Sequence, residues 1–186
     1  MPGAASDALQ ALASAKNIPL LVMLELTSRC DHACGFCYKP VSDHGQELKP
    51  DEVLRVIDDL ADMGALYLQL TGGEATLRPD FRAIAQHARS RNFQLSLSTN
   101  GERLDDETAR WMAALPMASV QISLHAADPA LHDELVGCPG SHARVLAGAR
   151  RLVREGVVVS LVCTVLEQNL GQVDDLLALG KELGVS

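Results

Sequence analysis

The chain has 186 residues, enough for one domain with a sizeable core and short for two. Hydrophobic residues make up 47% and charged residues 22%, which excludes a disordered chain, while a net charge of −8 and an aromatic content of 3% exclude nucleic-acid backbone binding and base stacking as the main task. No apolar run reaches the roughly 18 residues that span a bilayer, and the first fifteen residues lack the basic start and apolar middle of a secretory signal, so a cytoplasmic location with no membrane contact is expected.

Taken in chain order, short β-branched or leucine-rich runs alternate with segments of helical period. The runs are Leu20–Thr27, Ala65–Thr71, Phe93–Thr99, Ser119–Leu124 and Val157–Val165. After the first, Val53, Val56, Ile57 and Leu60 fall on one helical face, with Pro50, Asp51 and Glu52 suited to its first turn and Gly64 to its end. A second helix starts near Pro79–Asp80 and turns Phe81, Ile84, Ala85 and Ala88 inward. A third runs from about Asp105 to Leu115 and stops at Pro116. A fourth carries Val145, Leu146, Ala149, Leu152 and Val153 before Gly156, and a fifth carries Val173, Leu176 and Leu177. Successive β-then-α units of this kind make a parallel sheet with right-handed crossovers.

The strands themselves say which parallel sheet. Sheets covered by helices on both faces have strands that read as continuous apolar runs. Here alternate positions are polar: Glu25 and Thr27, Gln69 and Thr71, then Gln94, Ser96 and Ser98, then Gln121 and Ser123. Their neighbours (Leu24, Leu26; Leu66, Leu68, Leu70; Leu95, Leu97; Ile122, Leu124) would face the helices. One polar face in an interior parallel sheet predicts an α/β fold of the partial TIM-barrel type with about five βα units, whose lumen meets substrate and water. Chemistry in such barrels sits at the carboxyl ends of the strands.

Every distinctive motif falls at such an end. Cys30, Cys34 and Cys37 form a C-x3-C-x2-C run after the first strand, Gly72-Gly73-Glu74 follows the second, Ser98-Thr99-Asn100-Gly101 closes the third, and Ser123-Leu124-His125 closes the fourth. Three thiolates on one short loop can hold three irons of a cubane cluster and leave the fourth open. Two plainer readings stand beside this: a zinc site with His32 or His44 as fourth ligand, or three reduced cysteines without metal. The glycine pair permits a tight turn and a close backbone approach, and Asn100-Gly101 is also a common turn pair that needs no function.

Taken together, the cysteine run with aromatic Phe36 before its last cysteine, the Gly72-Gly73-Glu74 turn, the Ser-Thr-Asn-Gly stretch and the Ser123-Leu-His strand end resemble the radical S-adenosylmethionine (radical SAM) superfamily. Glu25-Leu26-Thr27 and the Gly137 to Ser141 stretch resemble members that modify peptides or build cofactors. The sequence departs from the family where Ala75 stands for a frequent proline and Val136 for a frequent arginine. The resemblance implies that Cys30, Cys34 and Cys37 ligate a [4Fe-4S] cluster whose fourth iron is chelated by SAM. It implies that Gly72 and Gly73 offer backbone to the methionyl end, Glu74 meets its ammonium group, and Phe36 lies by the adenine. Ser98, Asn100 and Ser123 would lie near the ribose or carboxylate.

One electron would then cleave SAM to methionine and a 5′-deoxyadenosyl radical, which takes hydrogen from a small-molecule or peptide substrate. No side chain beyond the cluster ligands is required as a catalytic residue. A reductant such as flavodoxin or ferredoxin is the implied partner. Residues 1–19 are expected to be an N-terminal extension and 20–186 the radical SAM core, with the sixth βα unit of the family missing. The rival expectation is a truncated, non-catalytic module that holds a cluster or zinc.

Other residues carry weaker signals. His125 reads either as a lumen contact or as a structural donor, His32 as a packing residue of the cysteine loop, and Asn169 as a candidate adenosine contact. Cys138 reads as an idle thiol or a reactive one, Cys163 as core, and Arg150, Arg151 and Arg154 as a solvated face.

Overall fold

The computed structural model describes residues 4–39 and 47–185. Five strands form one sheet: β1 (Leu21–Glu25), β2 (Tyr67–Thr71), β3 (Gln94–Thr99), β4 (Ser119–Ser123) and β5 (Val159–Val162). They lie side by side in chain order and every pairing is parallel. The crossovers are α2 (Pro50–Asp62), α3 (Phe81–Ser90), α4 (Asp106–Ala114) and the pair α5 (Pro129–Val136) and α6 (Ser141–Arg154). An N-terminal helix, α1 (Ala4–Ala15), precedes the sheet and α7 (Val173–Leu183) follows it. Strands in sequential order with crossovers of one hand put the helices on a single face, which is the arrangement of a partial barrel.

The alternation read from the sequence is the alternation in the structure. Leu68, Leu70, Leu95, Leu97, Val120 and Ile122 are fully buried under the helices, where they meet Ile57, Ile84, Ala85, Ala88, Met112, Val145, Ala149 and Leu152. The intervening residues Gln69, Thr71, Ser96, Ser98, Gln121 and Ser123 are half-buried on the opposite face. There the Gln69 amide donates to Ser98 Oγ at 2.5 Å and to Gln121 Oε1 at 2.9 Å, so the polar face is hydrogen-bonded across three strands. Burying six aliphatic side chains at about 2 kcal/mol each is what holds the register, since a one-residue slip would exchange the two faces.

Local signals set the helix ends. Pro50 opens α2, and the Glu52 carboxylate accepts the Lys49 N–H at 2.7 Å. Asp105 caps α4 by accepting the Thr108 N–H at 2.7 Å. Asp128 and Pro129 start α5, and Gly137, with φ of 62°, ends it in the left-handed region.

Three sequence expectations are corrected here. Leu66 is 41% exposed, because it lies before the β2 ladder rather than in it. Leu177 is 60% exposed; α7 packs through Leu176, as expected, and through Leu179 and Leu183. The connection from β4 to β5 holds two helices, not one, since α5 buries His132 where a purely apolar stripe would have been visible. No helix among the described residues is long and apolar enough to cross a membrane.

Candidate functional site

The carboxyl ends of β1 to β4 converge on the cysteine loop. Gly72 and Gly73 seat the turn after β2 directly against the backbone that leads into it. A Cβ on Gly72 would lie 2.6 Å from the Thr27 carbonyl oxygen, and one on Gly73 would lie 2.3 Å from that of Arg29. The contact is sealed by the Gly73 N–H on the Thr27 carbonyl at 2.7 Å and the Glu74 N–H on the Arg29 carbonyl at 2.8 Å. Only residues without side chains can bring two backbones this close.

A second support comes from α5. Its last turn accepts the Ala33 N–H at the Val136 carbonyl (2.9 Å) and the Gly35 N–H at the Leu135 carbonyl (3.3 Å). Gly137 follows, where a Cβ would meet the Ala33 oxygen at 2.9 Å. Arg78, only 6% exposed, adds a third: it donates to the Leu26 carbonyl at 2.8 Å and to the Leu48 carbonyl and is gripped by Asp80.

Cys30 and Cys37 are exposed on this loop and Cys34 is half-buried. Burial pushes the Cys34 thiol up to about 11, and the neighbouring sulfurs of Cys30 and Cys37 push the same way. A buried thiol flanked by two others on one short loop is a site that a cationic metal group would relieve, because a bound cation favours the thiolate. The donor set therefore fits an iron–sulfur cluster. Zinc completed by His32 fits less well: the His32 ring, 3% exposed, is held at Nε2 by Glu102 (2.9 Å) and by Ser141 Oγ (3.3 Å). His44 lies outside the described residues.

Glu74 closes the turn after β2. Its side chain is fully buried. One oxygen accepts Thr76 N–H at 3.0 Å and Thr76 Oγ at 2.6 Å, the other accepts the Asn100 N–H at 2.7 Å, and Thr99 Oγ1 bridges both at 2.9 Å. With these donors on its two oxygens and no exposure, the carboxylate fastens β2 to β3.

Asn100 lies against the cysteine loop. It is 8% exposed, and its amide donates to Asp31 Oδ1 at 2.6 Å and, at 3.9 Å, to Cys30 Sγ. Asn169 is fully buried and ties the His125 and Thr164 carbonyls, which removes it from any ligand.

Phe36, Ser98 and Ser123 remain on the accessible side. Phe36 stands edge-on to His125 with ring centroids 4.8 Å apart. Ser98 belongs to the Gln69–Gln121 network, and Ser123 ends β4 opposite Val162. His125 acts structurally: its Nδ1 accepts the Thr164 N–H at 3.2 Å, and its own N–H donates to His132 Nδ1 at 3.1 Å. Burial pulls both rings down to about 4, so both are neutral near pH 7.

His32, Glu102 and Cys138 bring possible ligand atoms within 4.8 Å of one another. The Arg144 guanidinium already supplies the cation there, bonding both Glu102 and, at 3.3 Å, Cys138 Sγ. Burial works to raise the Glu102 pKa, but hydrogen bonds from Arg144, Ser141 and His32 hold it below the usual carboxylate range. Cys138 is thus half-buried in an ion-pair cluster. Cys163 is half-buried with its sulfur on the His125 carbonyl. The α6 arginines are ion-paired as well as solvated, with Arg151 and Arg154 on Asp106.

Comparison with known proteins agrees with this geometry. The model of the radical SAM superfamily matches residues 24–180. A PqqA peptide cyclase of Ruegeria pomeroyi is 32% identical over 168 residues, covering 89% of this chain and 45% of the relative. An AdoMet-dependent heme synthase of Methanosarcina barkeri is 33% identical over 170 residues, covering 90% and 49%. The crystal structure of Streptococcus suis SuiB bound to S-adenosylmethionine superposes with a TM-score of 0.82 at 20% identity, over 98% of this chain and 43% of that one. The chain therefore spans about half the length of the relatives it matches. With the matched model covering the end of β1, the cysteine loop and strands β2 to β5, the chain belongs to the radical SAM superfamily.

Proposed function

We infer that this domain binds a [4Fe-4S] cluster on Cys30, Cys34 and Cys37 and binds SAM at the open iron, as the core of an enzyme that modifies a peptide or a small cofactor precursor. The observation that carries the reading is the loop itself: three cysteines within eight residues, braced by the Gly72-Gly73 turn, by α5 and by Arg78. When bound, the cluster and SAM supply reductive cleavage of SAM and hydrogen-atom abstraction from the substrate; the protein supplies position and shelter.

Each of the remaining roles belongs to a residue of this chain. The backbone at Gly72 and Gly73 offers polar groups to the methionyl end of SAM, and Phe36 offers its ring to the adenine. Ser98 and Ser123 contact ribose or carboxylate, and the Gln69–Ser98–Gln121 face orients substrate by hydrogen bonds. His125, with Nδ1 engaged by the Thr164 N–H and its basicity lowered by burial, is a weak base, which suits a first step that moves a hydrogen atom and not a proton. A low-potential donor of the flavodoxin or ferredoxin class delivers the electron.

Anaerobic reconstitution with iron and sulfide tests the reading. A full cluster in the natural chain, lost in each of Cys30→Ala, Cys34→Ala and Cys37→Ala, with a changed electron paramagnetic resonance spectrum on adding SAM, is the expected result. Zinc in place of iron, or a spectrum indifferent to SAM, would point to a binding module only.

A further inference from the structure

Resting on the cluster reading above, we propose that Asn100 is a positioning residue that donates a hydrogen bond to the Cys30 sulfur and thereby eases electron uptake by a cluster on that loop, with Glu74 as its brace. The side chain has one carbonyl and two N–H groups, and each has a distinct neighbour. Asn100 Oδ1 accepts the Glu102 N–H at 3.1 Å, while Nδ2 lies 2.6 Å from Asp31 Oδ1 and 3.9 Å from Cys30 Sγ. The amide cannot turn over. A flipped group would set NH2 against the Glu102 N–H and the carbonyl against both a carboxylate and a sulfur.

Both ends of Asn100 are fixed. Its backbone N–H is held by Glu74 Oε2 at 2.7 Å, and the same carboxylate holds the Thr99 hydroxyl. Glu74 is fully buried and Asn100 is 8% exposed, so water does not compete for these bonds. Asp31, the neighbour of Cys30, is neutralised from outside by Arg103 at 3.2 Å, which limits the opposing effect of its charge. The His32 N–H adds a second donor to the Cys30 sulfur at 3.4 Å.

Physically, a donor at a cluster thiolate withdraws negative charge, and the reduced cluster, richer by one electron, gains more from it than the oxidised one. Removing the donor therefore moves the reduction potential to more negative values. The chain from Glu74 through Asn100 to Cys30 gives the buried glutamate of the Gly-Gly-Glu turn a task at the cluster that needs no contact with SAM.

The test uses the full chain, reconstituted anaerobically as wild type, Asn100→Ala, Asn100→Asp and Asn100→Ser, with iron and sulfide content measured first. A redox titration followed by electron paramagnetic resonance is then run on each. The expected result is a full cluster in every protein and a shift to more negative potential in Ala and in Ser, whose side chains stop short of the sulfur, with a larger one in Asp. Unchanged potentials in Ala and Asp would overturn the donor role. So would failure of all three variants to load a cluster beside a loaded wild type, since Asn100 would then only be part of the loop's scaffold. A wild type that loads no cluster would instead refute the cluster reading on which this rests.

Discussion

A Cβ on Gly73 would stand 2.3 Å from the carbonyl oxygen of Arg29, closer than any side chain is tolerated. The turn after β2 and the entry to the cysteine loop are thus one unit, joined backbone to backbone by the Gly73 and Glu74 N–H groups. Gly73→Ala is expected to cost roughly 1–3 kcal/mol, the usual range for forcing extra volume into a packed site. Urea unfolding of the protein without its cluster reads that cost, and reconstitution should yield less iron per chain. An alanine variant with unchanged stability and full iron content would show that the two segments separate freely.

Arg78 joins three elements from a nearly sealed position. It reaches the Leu26 carbonyl beside the β1 end, the Leu48 carbonyl before α2, and Asp80 before α3. Arg78→Met leaves two carbonyls and a carboxylate unpaired, and a loss of about 3 kcal/mol is expected, in line with breaking other buried ion pairs. Arg78→Lys should recover only part of it, because one ammonium cannot serve three directions in a plane. Denaturant midpoints of the two variants check the order.

His125 and His132 make stability depend on pH. Both are held near 4 in the folded chain, below the ordinary histidine value of about 6.5, chiefly by burial. The unfolded chain therefore binds protons first as pH falls. Stability is full above about 6.5 and declines toward 4, with a slope of up to about 1.4 kcal/mol per pH unit for each ring. His125→Asn, which keeps an acceptor for the Thr164 N–H, should roughly halve that slope in urea titrations across the window. A flat profile for the natural chain between about pH 6.5 and pH 4.5 would contradict the assignment of two neutral rings.

Much of the fold was legible because it rests on short-range patterns. The period-two alternation in Leu68–Thr71 and Leu95–Ser98 and the helical spacing of Phe81, Ile84, Ala85 and Ala88 are properties of neighbouring residues, and the burial follows them. The α5 helix was hidden, although Asp128-Pro129 and Gly137 mark its ends, because buried His132 interrupts its apolar stripe. Motif order put the candidate residues at the carboxyl ends of the strands, where the structure has them. It did not give the partners of Glu74, Asn100 and Asn169, which depend on how separate strands come together: Glu74 meets Asn100 across 26 residues of chain, and Asn169 meets His125 across 44. A carboxylate in a turn looks solvated until its donors on another strand are seen.

The most direct measurement is 5′-deoxyadenosine formation by the anaerobically reconstituted chain given SAM and dithionite. Product from the natural sequence that disappears in Cys34→Ala is the expected result, and it would leave only the substrate to be found. A chain that carries a full cluster, binds SAM and still releases no 5′-deoxyadenosine would contradict the account.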